Sequence, residues 1–114
     1  RFDEALPLAE RETHDVFRKV ALAVVHHAAG REAQSASALQ ELIDGFAWTA
    51  AYQVAEVFAY RGEIDKAFEW LETAFRQNDP GVIYSGSDPF LTPLREDARW
   101  ATFIGRLGFD RPMR

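Results

Sequence analysis

Tyr52, Glu56 and Tyr60 recur at i, i+4 and i+8. On a helix that spacing puts all three side chains on one face. Two tyrosines supply rigid contact area with polar tips. A carboxylate between them accepts hydrogen bonds from a peptide backbone or a basic side chain. That is binding chemistry rather than bond-breaking chemistry, and its competitor is plain packing of both tyrosines against neighbouring helices. The remaining reactive residue types point nowhere sharper. His26 and His27 are adjacent, so on a helix they point about 100° apart and do not face one metal together. His14 reads as a solvated linker residue. Glu63, Asp65, Glu69 and Glu72 form a charged helix face with Lys66 and Arg76. Glu72 and Arg76 have the i, i+4 spacing of a solvated pair, worth about 0.2–0.5 kcal/mol. The chain has no cysteine, which excludes a disulfide framework and a thiolate zinc site. No HExxH, GxxxxGK[ST], GxSxG or GxGxxG string occurs, and Ser85-Gly86-Ser87 reads as a flexible loop rather than a phosphate cradle. The expectation is no catalytic residue, no metal and no cofactor.

The elements that must position these residues are helical. Of 114 residues, 47% are hydrophobic and 13% aromatic, enough for a packed core. The net charge of −5 leaves no basic footprint for nucleic acid. The longest apolar run, 20–25, falls far short of the roughly 20 residues that cross a bilayer, so membrane insertion is not expected. The chain begins at Arg1 inside a helical pattern and reads as the C-terminal part of a longer protein. A cytoplasmic setting is expected, with a periplasmic one as the alternative if a transmembrane helix precedes it.

Apolar spacing predicts an all-α fold with helices over about 2–12, 15–29, 32–45, 48–61 and 63–77. Thr13 or Asp15 is the expected cap of the second helix, and Gly30, Gly45 and Gly62 are the expected stops. Residues 82–86 read as an extended loop. Ser87-Asp88-Pro89 reads as an N-cap followed by proline at the first helical position, opening a short helix to about Arg95. Asp97 is expected to cap a last helix that runs to Leu107 and ends at Gly108. Ala55 and Ala67 are the candidates for close helix approach, with Phe58, Leu71 and Phe75 filling the gaps beside them. Trp48, Trp70 and Trp100 are expected in the core or sealing the end.

Gly30 and Gly62 stand 32 residues apart, and the same offset maps Leu22 onto Val54, Ala23 onto Ala55, Leu39 onto Leu71 and Ile43 onto Phe75. A period in this range marks an α-solenoid of stacked helix pairs. Residues 51–80 resemble a tetratricopeptide repeat. The family's small residue falls on Ala55, its following aromatic on Phe58, its turn glycine on Gly62 and its second small residue on Ala67. Leu71, Ala74 and a proline near Pro80 complete the pattern, whereas Ala51 departs from the tryptophan-type position. The unit around Gly30 is more degenerate, with Ser35 where alanine is expected and His26 where an aromatic is.

The resemblance implies a short right-handed superhelix of antiparallel pairs. It gives a half-unit at 1–13, units at 14–46 and 47–81, and a loop with capping helices over 82–114. It also implies that the first helix of each unit lines a concave groove. Tyr52, Glu56, Ala59 and Tyr60 would line it from one unit, and Val20, Val24 and His27 from the other. The tail from Ser87 to Phe109 is similar to a closing segment that ends many bacterial multidomain signalling proteins, including class III nucleotide cyclases, winged-helix regulators and TolB-like proteins. The implied function is a scaffold that binds a peptide or partner domain. The alternatives are an oligomerisation or regulatory module, with a homodimer as one form of it, and an enzyme on a helical scaffold.

Overall fold

A computed structural model describes residue 5 and residues 14–107 of the chain. The expected first helix and half-unit therefore lie outside the described residues, apart from a helical Ala5, and so do Gly108 and the tail beyond it. The described residues contain helices and turns and no strand. The elements are α1 (Asp15–Ala28), α2 (Glu32–Phe46), α3 (Ala51–Tyr60) and α4 (Ile64–Arg76), two 3-10 turns (Pro80–Tyr84 and Pro89–Leu94), and α5 (Ala98–Leu107).

Three helices end in the same way. Gly30 and Gly62 adopt φ of +82° and +80°, and Asn78 adopts φ of +57°. After each left-handed residue the next N–H reaches back to a helix carbonyl: Arg31 to His26 (2.8 Å), Glu63 to Phe58 (2.9 Å) and Asp79 to Ala74 (2.9 Å). These bonds satisfy carbonyls that the helix leaves open and turn the chain back on itself. Thus α1 packs on α2 and α4 on α3. Gly45 does not stop a helix, because α2 runs through it to Phe46. The following link, 47–50, carries Trp48 outward at 85% exposure. The expectation that Trp48 belongs to the core or a cap therefore fails: α3 starts at Ala51, not at 48. Trp70 and Trp100 are half-buried against the core.

Helix α3 is the centre of the molecule. Ala51, Tyr52, Val54, Ala55, Val57, Phe58 and Ala59 are all buried, as befits a helix that is apolar on nearly every side. It touches α1, α2, α4 and both 3-10 turns. Ala55 and Ala67 are fully buried, with Leu71 and Phe58 beside them. Ala23, Leu39 and Leu42 fill the α1–α2 pair. Burying a leucine such as Leu42 contributes on the order of 1.5–3 kcal/mol.

A polar link joins the two pairs. The fully buried Ser35 hydroxyl on α2 donates to the Ala23 carbonyl of α1 (2.7 Å) and accepts from Arg61 Nη1 after α3 (2.7 Å). Arg61 also reaches Glu63 (2.8 Å) and Glu32 (3.5 Å).

At the far end, α5 is held by two arginines. Arg99 bonds Asp65 (2.8 Å) and lies 4.6 Å above the Phe68 ring. Arg106 bonds Glu72 and lies 4.4 Å above the Phe75 ring. The partner of Glu72 is thus Arg106 on α5, where the sequence spacing suggested Arg76.

Candidate functional site

The face of α3 that carries Tyr52, Glu56 and Tyr60 is covered by the chain's own segment after α4. Residues 82–86, expected to be an extended loop, belong instead to a 3-10 turn capped by Asp79 and the bend that follows it. Asp88 caps the second 3-10 turn in the same manner. Each aspartate divides its two oxygens between a local and a distant partner. Asp79 Oδ1 accepts from the Gly81 N–H (2.9 Å), and its Oδ2 accepts from the Tyr52 backbone N–H (3.1 Å). Asp88 Oδ1 accepts from the Phe90 N–H (2.9 Å), and its Oδ2 accepts from the Tyr52 hydroxyl (2.5 Å). Tyr52 is gripped at both ends. The Ser85 hydroxyl is fully buried beside the Tyr52 phenol but outside good hydrogen-bond geometry.

Glu56 completes the cluster by sharing a hydrogen bond with Asp88. Burial, that hydrogen bond and the charges of Asp88 and Asp79 push its carboxyl up to about 9. Glu56 therefore keeps its proton at neutral pH. Burial alone would raise Asp88 too, but hydrogen bonds from Glu56, Tyr52 and the Phe90 N–H outweigh it, and with Arg95 nearby its carboxyl sits below the usual range. Burial first, then Asp88, raises the Tyr52 phenol, which stays neutral. The result is one protonated carboxyl, one carboxylate and one phenol sharing protons in a poorly solvated place. A neutral acid beside a carboxylate is also a geometry for proton transfer, but Asp88 also accepts from the Phe90 N–H and the Tyr52 hydroxyl, which hold it ionised.

The other residues expected in the groove fall in two groups. Tyr60 and His27 meet edge to face, with ring centroids 5.6 Å apart, and Tyr60 meets Phe90 in the same way at 5.7 Å. His27 also bonds Glu32 (2.9 Å). Val20 and Val24 are half-buried on α1, and Ala59 is fully buried in the core. Tyr52 and Ala59 therefore give their surface to the chain itself. Among the described residues no group of three metal-ligating side chains gathers. No described helix is long and apolar enough to cross a membrane.

What remains open is a cleft of about 470 Å³ between the 79–88 arch and α3. Its floor is Tyr52, Glu56, Asp79 and Asp88, and its rim includes Phe17 of α1 and Tyr84 of the arch. Phe17 is 52% and Tyr84 62% exposed. A second depression of about 430 Å³ gathers only the first turn of α4 and the two residues before it.

No protein-family model matches this chain, and no curated protein or solved structure is significantly similar to it.

The tetratricopeptide resemblance thus rests on the residues quoted for it. Sequence reasoning assigned Asp79 no role between the helix over 63–77 and the loop over 82–86, and gave Asp88 only a capping role. A signal for both was present: Asp-Pro occurs twice, at 79–80 and 88–89, and each pair opens a 3-10 turn.

Proposed function

We propose that this segment is a protein-interaction module that takes a peptide or a partner's exposed segment into the cleft beside the 79–88 arch. The observation that carries this reading is the pair of exposed aromatic rims, Phe17 and Tyr84, facing a cleft with an anionic floor. Aromatic side chains with a free face are the usual anchors of protein interfaces. Asp79 and Asp88 favour a basic side chain in the segment that enters. The site differs from the groove implied by the repeat pattern, whose central face is taken by the chain's own 3-10 turns. The stacking of α1–α2 on α3–α4 fits a short solenoid of tetratricopeptide type, and such stacks present surfaces rather than chemistry. We therefore place the segment among non-catalytic accessory domains of larger proteins.

Selection of random peptides on the immobilised chain tests this. Selected peptides should carry a basic residue and lose at least tenfold in affinity against a Phe17→Ala, Tyr84→Ala double variant. Both side chains are more than half exposed, so the variant should keep its helical circular dichroism. No enriched peptide, or peptides indifferent to the double substitution, would refute the reading.

A further inference from the structure

We propose that the 79–88 arch is a latch on that cleft, fastened to α3 at Asp88 by Glu56 and Tyr52, and that releasing the Glu56–Asp88 contact lets the arch move and widens the cleft. The second half rests on the interaction reading; the first half does not. The geometry is specific. The arch meets α3 at its two ends, where Asp79 and Asp88 hold Tyr52, and at Gly81, where a Cβ would come within 2.7 Å of the Tyr52 ring. Between those ends Val82 and Ser85 point inward and are buried, while Ile83 and Tyr84 are exposed. Beyond Asp88 the chain is anchored independently by the fully buried Leu91 and Leu94 and by Phe90 on Tyr60. The arch therefore has a firm footing on one side and a contact at Asp88 that depends on protonation.

The two carboxylates near Glu56 push the same way: Asp88 and Asp79, from the residues preceding the two turns, both raise it. The Tyr52 phenol of α3, Tyr84 of the arch and the uncharged Phe17 of α1 line the same cleft. Arg95 offsets part of the charge on Asp88. With its proton, Glu56 donates to Asp88 and ties the arch down. Without it, two carboxylates face each other in a poorly solvated place, and the contact becomes repulsive. An ionised Glu56 thus weakens the hold on the arch at Asp88, leaving the Tyr52 hydroxyl as its donor from α3.

Carbon-detected NMR reads both parts in the free chain. The Glu56 carboxyl carbon should titrate with a midpoint near 9. The backbone carbonyl carbons of 79–88 should move with the same midpoint. In Glu56→Gln, whose amide still donates to Asp88 and does not ionise, those carbons should stay still between pH 7 and 10. In Asp88→Asn the Glu56 midpoint should fall by at least one pH unit. A Glu56 midpoint below 6, arch carbons that ignore its titration, or the same movement in Glu56→Gln would overturn the latch. For the coupling, a peptide selected on the wild-type chain should bind at least threefold more tightly at pH 9.5 than at pH 7, and equally at both in Glu56→Gln. Equal binding by the wild type at both pH values would overturn the coupling. A failed peptide selection would sink the interaction reading, and with it the coupling, while the NMR result on the latch would still stand or fall by itself.

Discussion

Ser35→Ala separates what the repeat pattern favours from what the structure requires. The tetratricopeptide pattern has alanine at this position, and alanine is the better helix former by roughly 0.5 kcal/mol. Pattern and propensity together favour the substitution. The structure opposes it. Ser35 Oγ is fully buried and makes two 2.7 Å hydrogen bonds, one to the Ala23 carbonyl and one from Arg61 Nη1. The first is a neutral bond worth about 0.5–1.5 kcal/mol, and the second comes from a charged donor and is worth about 1.5–3 kcal/mol. Setting the propensity gain against both leaves a loss of roughly 1.5–4 kcal/mol. Urea unfolding followed by circular dichroism measures it. With a slope of about 1–3 kcal/mol/M, the midpoint should fall by at least about 0.5 M at constant slope. A double-mutant cycle with Arg61→Met should show a coupling of at least about 1 kcal/mol, as contacting residues do. A Ser35→Ala chain within about 0.5 kcal/mol of wild type, or more stable than it, would refute the reasoning. Arg61 would then be held by Glu32 and Glu63 alone.

Other perturbations test separate contacts. Ala67→Leu adds bulk at a fully buried position beside α3 and should destabilise by about 1–3 kcal/mol; an unchanged melting temperature would place Ala67 away from a close approach. Gly81→Ala puts a Cβ 2.7 Å from a Tyr52 ring pinned at both ends and should cost about 1–3 kcal/mol. Gly45→Ala, in the last turn of α2 with open space around its Cβ, should stabilise by up to about 0.5–1 kcal/mol. The pH dependence follows from Glu56, whose folded value is raised. The native state holds that proton after the unfolded chain has lost it, so Glu56 removes stability as pH rises from its ordinary value of 4.5 towards about 9. Each pH unit in that window costs up to about 1.4 kcal/mol. Asp88, held below its ordinary value, acts oppositely and loses its contribution as the solution turns strongly acidic. The urea midpoint of wild type minus that of Glu56→Gln should therefore decline from pH 5 to pH 9; a flat difference would mean that Glu56 ionises normally.

The helices were legible because their signals are local. Apolar spacing places α1 and α4 within a residue or so of their ends, and Gly30 and Gly62 mark two stops because only the left-handed conformation closes those turns without strain. Gly45 misled because a glycine inside a helix costs only about 1 kcal/mol, which the burial of Leu42 and its neighbours outweighs. Trp48 misled because its size suggests burial, while its place is decided by where α3 begins. The stripe of Tyr52, Glu56 and Tyr60 was visible as one face, but what covers it was not. Asp79 lies 27 residues from Tyr52 in sequence, and Asp88 lies 36 from it. No local pattern says which oxygen reaches back across that distance. The proton on Glu56 is a property of that assembled cluster, and so it was hidden as well.

The arginine contacts of α5 act as a ruler. Arg99 and Arg106 are seven residues apart, and so are Asp65 and Glu72, and Phe68 and Phe75. One such contact would fix where the helix touches; two at equal spacing fix its direction and rotation as well. A slide by one helical turn, about 3.6 residues, brings one arginine towards Glu69 but sets the other against Arg61 or Arg76, so it keeps at most one ion pair. Only one seating satisfies both arginines, and a single residue inserted between Trp100 and Gly105 would turn the second contact about 100° away from its partner while leaving the first intact.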